Sequence, residues 1–216
     1  MIFERLIYLY GEENFEKLKK AKVAVIGLGG VGGIAAVSLA RSGVGNIVIC
    51  EYDVVDITNI NRQIIANTTN VGRYKTDVLE EMILEINPEC KVTKITEKVS
   101  DKLFLENVDF VIDAIDDIPS KKYLINKCLY TKTKFISSMG AAKKTDPSKI
   151  EVIKLSKTSY DPIARILRNH FKNKDFYVVS STELPKKLDK LGSYMPVVST
   201  FGLFLSDFVI KKIIGR

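Results

Sequence analysis

Short apolar runs alternate with longer segments of helical periodicity along the first two-thirds of the chain. The apolar runs predict strands at 22–27, 46–51, 91–96, 109–113 and 134–138. The periodic segments predict helices at 13–20, 31–42, about 72–86, 101–106 and 119–131. Because alternating strands and helices form parallel sheets with both faces covered, we expect an α/β fold with a doubly wound, Rossmann-like and mostly parallel sheet.

The pattern changes after Ser138. An alternating strand follows in IEVIKL, then an amphipathic basic helix in DPIARILRNHFK, a strand in DFYVVSS and an apolar helix at the end of the chain. We expect residues 1–216 to form a single domain, with 139–216 as a C-terminal strand and helix extension and a candidate substrate-binding part. The pattern fits both a small appended subdomain and a continuation of the same sheet.

A glycine-rich turn follows the first predicted strand. KVAVIGLGGVGG spaces Gly27, Gly29 and Gly32 as G-x-G-x-x-G, and the helix that begins there directs its N-terminus at a phosphate. Gly30 belongs to the same turn, and Glu51 ends the next strand, where a carboxylate can accept hydrogen bonds from ribose. These residues indicate adenosine plus phosphate, which NAD, FAD, S-adenosylmethionine and ATP share. A turn that only packs helix on sheet, without a ligand, is the alternative.

A polar segment after the second strand narrows this choice. DITNINRQIIANTTNVGRYK contains Asn59, Arg62 and Lys75, which would face a triphosphate rather than a nicotinamide. We also expect Asp53, just before this segment, to belong to the nucleotide-binding residues. The fourth strand ends in VIDAIDD, and Asp116 lies past its end, where an oxygen ligand for Mg²⁺ would have to be. The alternative role for Asp116 is the N-cap of the next helix.

The cysteines and the histidine exclude several classes of site. Cys50, Cys90 and Cys128 are far apart and form no C-x-x-C pair, so neither a disulfide framework nor a four-cysteine zinc site is expected. We expect free, buried thiols. The single histidine, His170, falls at the end of a predicted helix and is not expected to act as a base for a cysteine nucleophile.

The two ends of the chain predict neither a signal peptide nor a membrane span. The start, MIFERLIYLYGEE, mixes acids with apolar residues and lacks a small-residue cleavage site. The last apolar region is interrupted by Ser199, Thr200 and Asp207 and is shorter than the roughly twenty uninterrupted apolar residues of a bilayer span. We expect a buried terminal helix and a cytoplasmic protein.

The formal net charge of +7 is unevenly distributed. Residues 1–142 hold 18 Lys and Arg against 19 Asp and Glu, residues 143–175 hold nine against four, and residues 176–216 hold six against three. The positive excess therefore lies in the C-terminal third, where it would attract a polyanion such as RNA. A lysine-rich face that is merely solvated is the alternative.

The motifs taken together resemble one superfamily. GLGGVGG, the acid at position 51, NINRQ, the downstream lysine and DAIDD look like the adenylating, ThiF-like domain shared by ubiquitin-activating enzymes and the molybdopterin- and thiamine-pathway adenylyltransferases. This resemblance implies that ATP adenylates a carboxylate and that pyrophosphate leaves. The residues it implies are a ribose ligand in Glu51, phosphate ligands in Asn59, Arg62 and Lys75, a magnesium ligand in Asp116, and, in Arg5, a group that reaches the triphosphate of a partner subunit in a homodimer.

The C-terminal third favours one branch of this superfamily. Sulfur-carrier adenylyltransferases typically carry paired C-x-x-C zinc motifs there, whereas residues 139–216 contain no cysteine. Instead, NVGRYKTDVLEEMILEINPEC and SSMGAAKKTDPSKIEVIKLSKTSYDPIARILRNHF look like the tRNA threonylcarbamoyladenosine dehydratases. That resemblance implies an enzyme that uses ATP to activate the carboxylate of the threonylcarbamoyl group on an adenosine beside the anticodon and closes it to a cyclic form. It also implies a sulfurtransferase-like protein as a candidate accessory partner.

The basic C-terminal third is then the expected tRNA surface. The candidate tRNA-binding residues are Lys143, Lys144, Arg165, Arg168 and Lys172, of which the last three are spaced to share one side of a helix.

The chain departs from the family pattern at two points and leaves two other functions open. Glu51 stands where Asp is usual, and the connection 181–193 is short. The first other function is an adenylyltransferase for the C-terminal carboxylate of a sulfur-carrier or ubiquitin-like protein. The second is a non-catalytic protein that binds an adenine nucleotide or NAD.

Overall fold

The computed structural model describes residues 2–100, 105 and 107–216, and within them seven strands form one sheet. All neighbouring strands are parallel except the last pair, which is antiparallel. The strands are β1 (Lys22–Ile26), β2 (Asn46–Cys50), β3 (Lys91–Ile95), β4 (Phe110–Asp113), β5 (Phe135–Ser138), β6 (Ile150–Lys154) and β7 (Tyr177–Ser181), in the spatial order β3-β2-β1-β4-β5-β7-β6. The predicted Rossmann-like, mostly parallel α/β sheet is confirmed.

The position of β1 between β2 and β4 creates the crevice of this sheet. The chain runs from β1 to β2 and β3 on one side and then crosses to β4 on the other, which is where ligands bind in doubly wound sheets. Ile26, the last residue of β1, pairs with Cys50 on one side and with Asp113 on the other. The loops that follow these three residues therefore emerge together at one edge of the sheet.

The helices cover both faces of the sheet. Those in the described residues are α1 (Glu4–Tyr10), α2 (Glu12–Lys20), α3 (Gly30–Arg41), α4 (Lys75–Ile86), α5 (Ile118–Thr131), α6 (Pro162–His170) and α7 (Met195–Ile213). Side chains of α3, α4 and α7 form the core on one face, and α5 and α6 pack on the other. β1 and β2 consequently bury nearly every side chain, as strands covered on both faces do.

Residues after Ser138 continue the same sheet. β7 pairs with β5 through Ser137 and Val178, and β6 adds to the outer side of β7. α7 packs along α3, where the Ser206 hydroxyl donates to the Ser38 hydroxyl at 2.8 Å. No helix in the described residues is both long enough and apolar enough to span a membrane. This includes α7, which has 19 residues.

Two elements differ from the pattern-based expectation, and a third expected element cannot be compared. α1 is not among the predicted helices, and Gly11, with φ 81°, separates it from α2. α4 begins at Lys75 because the chain still turns at Gly72, where φ is 87°. The predicted helix 101–106 falls on 101–104 and 106, which lie outside the described residues.

Candidate active site

A cleft of about 720 Å³ lies beyond the carboxyl ends of β1, β2, β4 and β5. The loops after these strands form its walls, together with residues 59–63 and the first residue of α4. The sequence-predicted nucleotide-binding residues that line it are Gly27, Gly29, Gly30, Glu51, Asp53, Asn59, Arg62, Lys75 and Asp116. The structure thus brings residues from distant parts of the chain into one cleft.

The glycines let the turn after β1 approach its neighbours closely. Gly27 has φ 88°, and a Cβ on it would lie 2.7 Å from the Ala114 carbonyl oxygen. Gly32 does not line the cleft; a Cβ there would lie 1.7 Å from the Gly27 carbonyl oxygen, so it allows α3 to pack against the end of β1. No side chain caps the N-terminus of α3, which leaves backbone N–H groups available to an anion.

Glu51 joins the end of β2 to the glycine turn. Its carboxylate accepts hydrogen bonds from the backbone N–H of Leu28 at 3.0 Å, of Tyr52 at 2.9 Å and of Asp53 at 3.3 Å. A carboxylate has about four acceptor positions, so these three bonds fix the side chain and leave about one position for a further donor. The longer side chain at this position therefore reaches the turn and remains able to accept from a ribose hydroxyl.

Arg62 is held at the cleft by the short turn that precedes it. The Asn59 side-chain oxygen accepts from the Asp56 N–H at 3.2 Å, and the Asp56 carboxylate accepts from the Thr58 N–H at 2.8 Å, which closes a capping box. The Arg62 guanidinium donates to the Thr58 carbonyl at 2.5 Å and to the Asn61 side chain at 3.1 Å. Because a guanidinium carries five N–H donors, others stay available for a phosphate.

Lys75 and Asp53 form an ion pair where α4 begins. The Lys75 ammonium lies 3.2 Å from an Asp53 carboxylate oxygen, and the Lys75 backbone N–H donates to the Asp53 carbonyl at 3.1 Å. The side chain of Lys75 is 6% exposed, whereas that of Asp53 is 48% exposed. An ammonium has three donors, so one carboxylate orients Lys75 without occupying it fully.

Asp116 is exposed in the loop between β4 and α5. The N-cap of α5 is Asp117, whose carboxylate accepts from the Ser120 N–H at 2.9 Å, so the capping role considered for Asp116 is wrong. Asp116 has no hydrogen-bond partner within the described ranges, and it lines the cleft. Its carboxylate is therefore available to a ligand.

Several carboxylates make the mouth of the cleft negative. Asp53 is the main cause that raises the pKa of Tyr52, followed by burial and by Glu51, Asp116 and Asp117. A triphosphate bound among these carboxylates needs a compensating cation. In the part of the chain that the structure describes, no group of three or more His, Cys, Asp or Glu could hold a metal ion by itself. One or two carboxylates plus phosphates suffice for Mg²⁺ in nucleotide sites, and Asp116 fits that arrangement.

A buried charge network beneath the cleft escaped the sequence analysis. Asp113, the last residue of β4, accepts from the Lys121 ammonium at 2.8 Å, from the Ser137 hydroxyl at 2.6 Å and from the Ile115 N–H at 3.1 Å. Asp113, Lys121 and Ser137 are all 0% exposed. The available signal was a lysine among the apolar positions of the helix that follows DAIDD. The network fixes the start of the loop that carries Asp116.

The structure corrects the expectation for Lys144. This residue follows the loop 138–142, which lines the cleft. Lys144 is buried, its ammonium lies 3.0 Å from an Asp161 carboxylate oxygen, and it donates to the Gly140 carbonyl at 2.6 Å. A charge that is buried and already paired is not available to a tRNA phosphate.

The remaining basic candidates differ in their exposure. Arg165 is exposed on α6, whereas Arg168 is half-buried and its guanidinium donates to the carbonyl and the hydroxyl of Thr158. The Lys143 ammonium donates to the Leu188 carbonyl at 2.6 Å. Of these three residues, Arg165 therefore has the charge that is most exposed to solvent.

Lys172 is exposed but does not lie on α6 as predicted. The helix ends at His170, and Phe171 turns into the core, where its ring centroid lies 5.7 Å from that of Phe176. Burial of Phe171 therefore ends the helix before Lys172. The prediction that His170 stands at a helix end is confirmed.

Arg5 does not reach the cleft of its own chain. It is exposed on α1, and the preceding Ile2 and Phe3 line a second cavity of about 530 Å³ with Asn46 and Lys91, the first residues of β2 and β3. That cavity lies at the edge of the sheet opposite the cleft. Any action of Arg5 on a triphosphate requires a second subunit.

The three cysteines are free and buried, as predicted. Burial raises the pKa of Cys50 to about 12, of Cys90 to about 11 and of Cys128 to about 12. Cys50 lines the cleft, but its thiol remains protonated near neutral pH. The cleft contains no activated thiol.

Sequence comparison relates nearly the whole chain to known proteins. The ThiF family profile matches residues 3–216. A tRNA threonylcarbamoyladenosine dehydratase of Bacillus subtilis is 44% identical over 191 residues, which are 85% of this chain and 75% of that protein. The protein of the same name from Escherichia coli is 41% identical and covers 96% of this chain and 91% of its own length.

Structural comparison gives the same likeness over the whole chain, including the C-terminal part. The crystal structure of the E. coli tRNA N6-threonylcarbamoyladenosine dehydratase in complex with ATP has a TM-score of 0.93 to this chain and 36% sequence identity. The superposition covers 99% of this chain and 93% of that one. The similarity therefore includes β6, β7 and α7 as well as the cleft.

Proposed function

We propose that this chain, which belongs to the ThiF family, is an ATP-dependent tRNA threonylcarbamoyladenosine dehydratase. The carrying observation is that its likeness to dehydratases spans 96% of the chain, including the basic C-terminal part that would meet tRNA. The enzyme activates the carboxylate of the threonylcarbamoyl group on an adenosine next to the anticodon. It then closes the activated group into a ring.

The cleft offers what carboxylate activation requires. A carboxylate oxygen of the substrate attacks the α-phosphorus of ATP, the bond to pyrophosphate breaks, and negative charge develops on the phosphate oxygens. Arg62, Lys75 and the free N–H groups of α3 supply donors for that charge. A group of the same substrate then attacks the activated carbonyl carbon and AMP leaves. Because the attacking group is already held beside the carbonyl, no protein nucleophile is required.

The other cleft residues have supporting roles in this proposal. Glu51 binds the ribose, and Asn59 contacts the phosphates from the turn that also holds Arg62. Asp53 orients Lys75. The glycine turn, Gly27 to Gly32, leaves room for the nucleotide next to the end of β1.

Asp116 is the residue that would hold Mg²⁺ together with the ATP phosphates. The ion, when bound, neutralises phosphate charge that would otherwise meet the carboxylates of the cleft. Asp116 fits because it is exposed to the cleft, and because Asp113 and Asp117 are engaged in the fold.

The proposed partners rest on the basic C-terminal surface for tRNA and on the family resemblance for the homodimer and the accessory protein. tRNA binds the basic C-terminal face through Arg165, Lys172 and Lys143, in the cytoplasm. Two copies form a homodimer in which Arg5 of one copy acts in the cleft of the other. A sulfurtransferase-like protein serves as an accessory partner.

The function is tested with purified protein, ATP and tRNA that carries threonylcarbamoyladenosine. We expect the modified nucleoside to lose the mass of one water, with one AMP formed per nucleoside converted, as measured by mass spectrometry and chromatography. Lys75→Ala should abolish both products. Unchanged tRNA, combined with release of pyrophosphate from ATP on addition of a peptide with a free C-terminal carboxylate, would instead support an adenylyltransferase for a protein acceptor.

A further inference from the structure

One buried ion pair joins a wall of the cleft to the helix that carries Arg165. The side chains of Lys144 and Asp161 are 1% and 0% exposed, and their charged atoms lie 3.0 Å apart. Lys144 follows the cleft wall 138–142, and Asp161 precedes α6. No step of nucleotide binding or carboxylate activation uses this pair.

Both partners hold the backbone of the same residue. The Gly140 N–H donates to an Asp161 carboxylate oxygen at 2.9 Å, and the Gly140 carbonyl accepts from the Lys144 ammonium at 2.6 Å. Gly140 lines the cleft with Ala141 and Ala142. The position of this wall therefore depends directly on the ion pair.

The same pair also fixes the start of α6. The second carboxylate oxygen of Asp161 accepts from the Ala164 N–H at 2.9 Å and caps the helix. Ile163, in the first turn, lines the cleft. The Lys144 ammonium also lies 5.7 Å from the ring centroid of Phe201, on α7. The cleft wall, α6 and α7 thus meet at the ion pair of Lys144 and Asp161.

Stability alone does not account for an ion pair at this depth. The cost of removing two charges from water offsets most of their attraction, so apolar residues of similar volume would stabilise the fold as well or better. The pair adds directed hydrogen bonds that set distances between the elements it joins. Those elements are a wall of the reaction cleft and the helix whose exposed arginine faces solvent.

We propose that Lys144 and Asp161 are positioning residues that set the distance between the cleft wall 138–142 and α6. When α6 contacts tRNA, this distance determines whether the modified adenosine enters the cleft with its carboxylate at the bound nucleotide. The proposal rests on the dehydratase function proposed above. Its signature is a loss of turnover without a loss of affinity for either substrate.

The test is the double variant K144M/D161N in the full chain. Met keeps the apolar stem of Lys144, and Asn keeps a capping side chain on α6, so no unpaired charge is buried. With tRNA that carries threonylcarbamoyladenosine, we expect kcat to fall about tenfold or more, while the Kd values for ATP and for tRNA stay within about twofold of wild type. The matched control is K149M/D146N, which removes an exposed pair at 3.7 Å in the next turn of the chain and should keep the wild-type kcat.

A second, milder variant guards against misfolding of the first. A Cβ on Gly140 would lie 3.1 Å from an Asp161 oxygen, and its three nearest atoms all belong to that carboxylate, so G140A presses on the pair. We expect a folded protein with reduced kcat and unchanged Kd values. If K144M/D161N does not fold, G140A decides the question.

The outcomes separate this proposal from the dehydratase function. A wild-type kcat in the folded variants, or a rise in the Kd for tRNA without a change in kcat, would overturn the positioning role alone. If the wild-type chain does not convert the modified tRNA, the dehydratase function fails, and the positioning role fails with it.

Discussion

At the residue scale, three aspartates close together in the sequence have three different surroundings. Asp113 is buried in a network with Lys121 and Ser137, and Asp117 caps α5. Asp116, between them, has no hydrogen-bond partner within the described residues and lines the cleft. Two of the carboxylates therefore serve the fold, and the third is available to the reaction.

The different surroundings of Asp116 and Asp117 predict that substitution of the first, but not of the second, strongly lowers turnover. Asp116→Asn should leave the free energy of unfolding within about 0.5 kcal/mol of wild type, because an exposed side chain without partners is changed. Its turnover should fall about a hundredfold or more, since the charge that would face Mg²⁺ is lost. Asp117→Asn keeps a capping side chain and should retain most turnover. Thermal unfolding measures the stability of each variant, and AMP release measures its turnover. Turnover of Asp116→Asn within a few-fold of wild type would contradict the metal role.

The candidate nucleotide-binding residues that line the cleft could be predicted from sequence, but the burial of Lys144 could not. The glycine turn, Glu51 and Arg62 lie on local motifs whose geometry is set within a few residues. Lys143 and Lys144 are identical in type and adjacent, and they differ only because Asp161, 17 residues away, pairs with the second. Burial created by a distant partner leaves no signal in the local pattern.

At the element scale, α6 presents two arginines with different tasks. Arg165 is exposed, so Arg165→Glu together with Lys172→Glu should weaken tRNA binding about tenfold or more at low salt and flatten its salt dependence. Arg168→Ala should mainly lower the melting temperature, because its bonds to Thr158 are lost. Binding measured across a salt series, with ATP affinity as the control, checks both. Unchanged tRNA binding in the Arg165 and Lys172 variant would place the RNA surface elsewhere.

The three buried thiols are Cys50 at the end of β2, Cys90 just before β3 and Cys128 in α5. They predict that the stability of the fold decreases at alkaline pH. Their ordinary pKa of 9.0 rises to about 12 for Cys50 and Cys128 and to about 11 for Cys90 in the folded chain, because burial disfavours the thiolate. Below pH 9 both states keep the protons. Above it the unfolded chain loses them first, so this contribution to stability falls as pH rises towards the folded values.

Two measurements check the thiol prediction. Iodoacetamide at pH 8 should label none of the three cysteines in the native protein and all three in urea. Urea unfolding should give a smaller free energy of unfolding at pH 10 than at pH 8, and replacement of the cysteines by Ala should reduce that difference. Rapid labelling of native Cys50 would show that the thiol in the cleft is reactive after all.

The central elements of the fold could be predicted because their apolar runs are buried on both faces. The placement of β7 beside β5, and of β6 outside it, could not, since it depends on pairing between segments that are distant in the chain, such as Ser137 with Val178 and Val152 with Val179. The end of α6 has the same origin: the packing of Phe171 on Phe176, and not a local breaker, stops the helix.

At the scale of the whole molecule, the position of Arg5 predicts shared active sites. In the proposed homodimer, Arg5→Ala and Lys75→Ala should each be inactive alone, because each removes one group that would face the triphosphate. Mixed dimers of the two should regain up to about half of the wild-type activity per dimer, since one of the two clefts then has both groups. Co-expression with two tags and purification of the mixed species allow the measurement. No recovery in verified mixed dimers would mean that Arg5 does not act across an interface.

The two edges of the sheet restrict how such a dimer can form. Among the described strands, β3 and β6 are the edges, and both carry lysines: Lys94 pairs with Asp77 at 2.9 Å, and the Lys154 ammonium lies 3.9 Å from the centroid of the Tyr177 ring. Charged edges oppose the addition of a further strand from another molecule. Pairing of β3 of one copy with β6 of the next would be a heterologous contact that can continue into open-ended fibres, whereas an isologous contact, for example between two copies of α1 with Tyr8 exposed, closes on itself. The lysines on the edges thus oppose open-ended assembly of this kind.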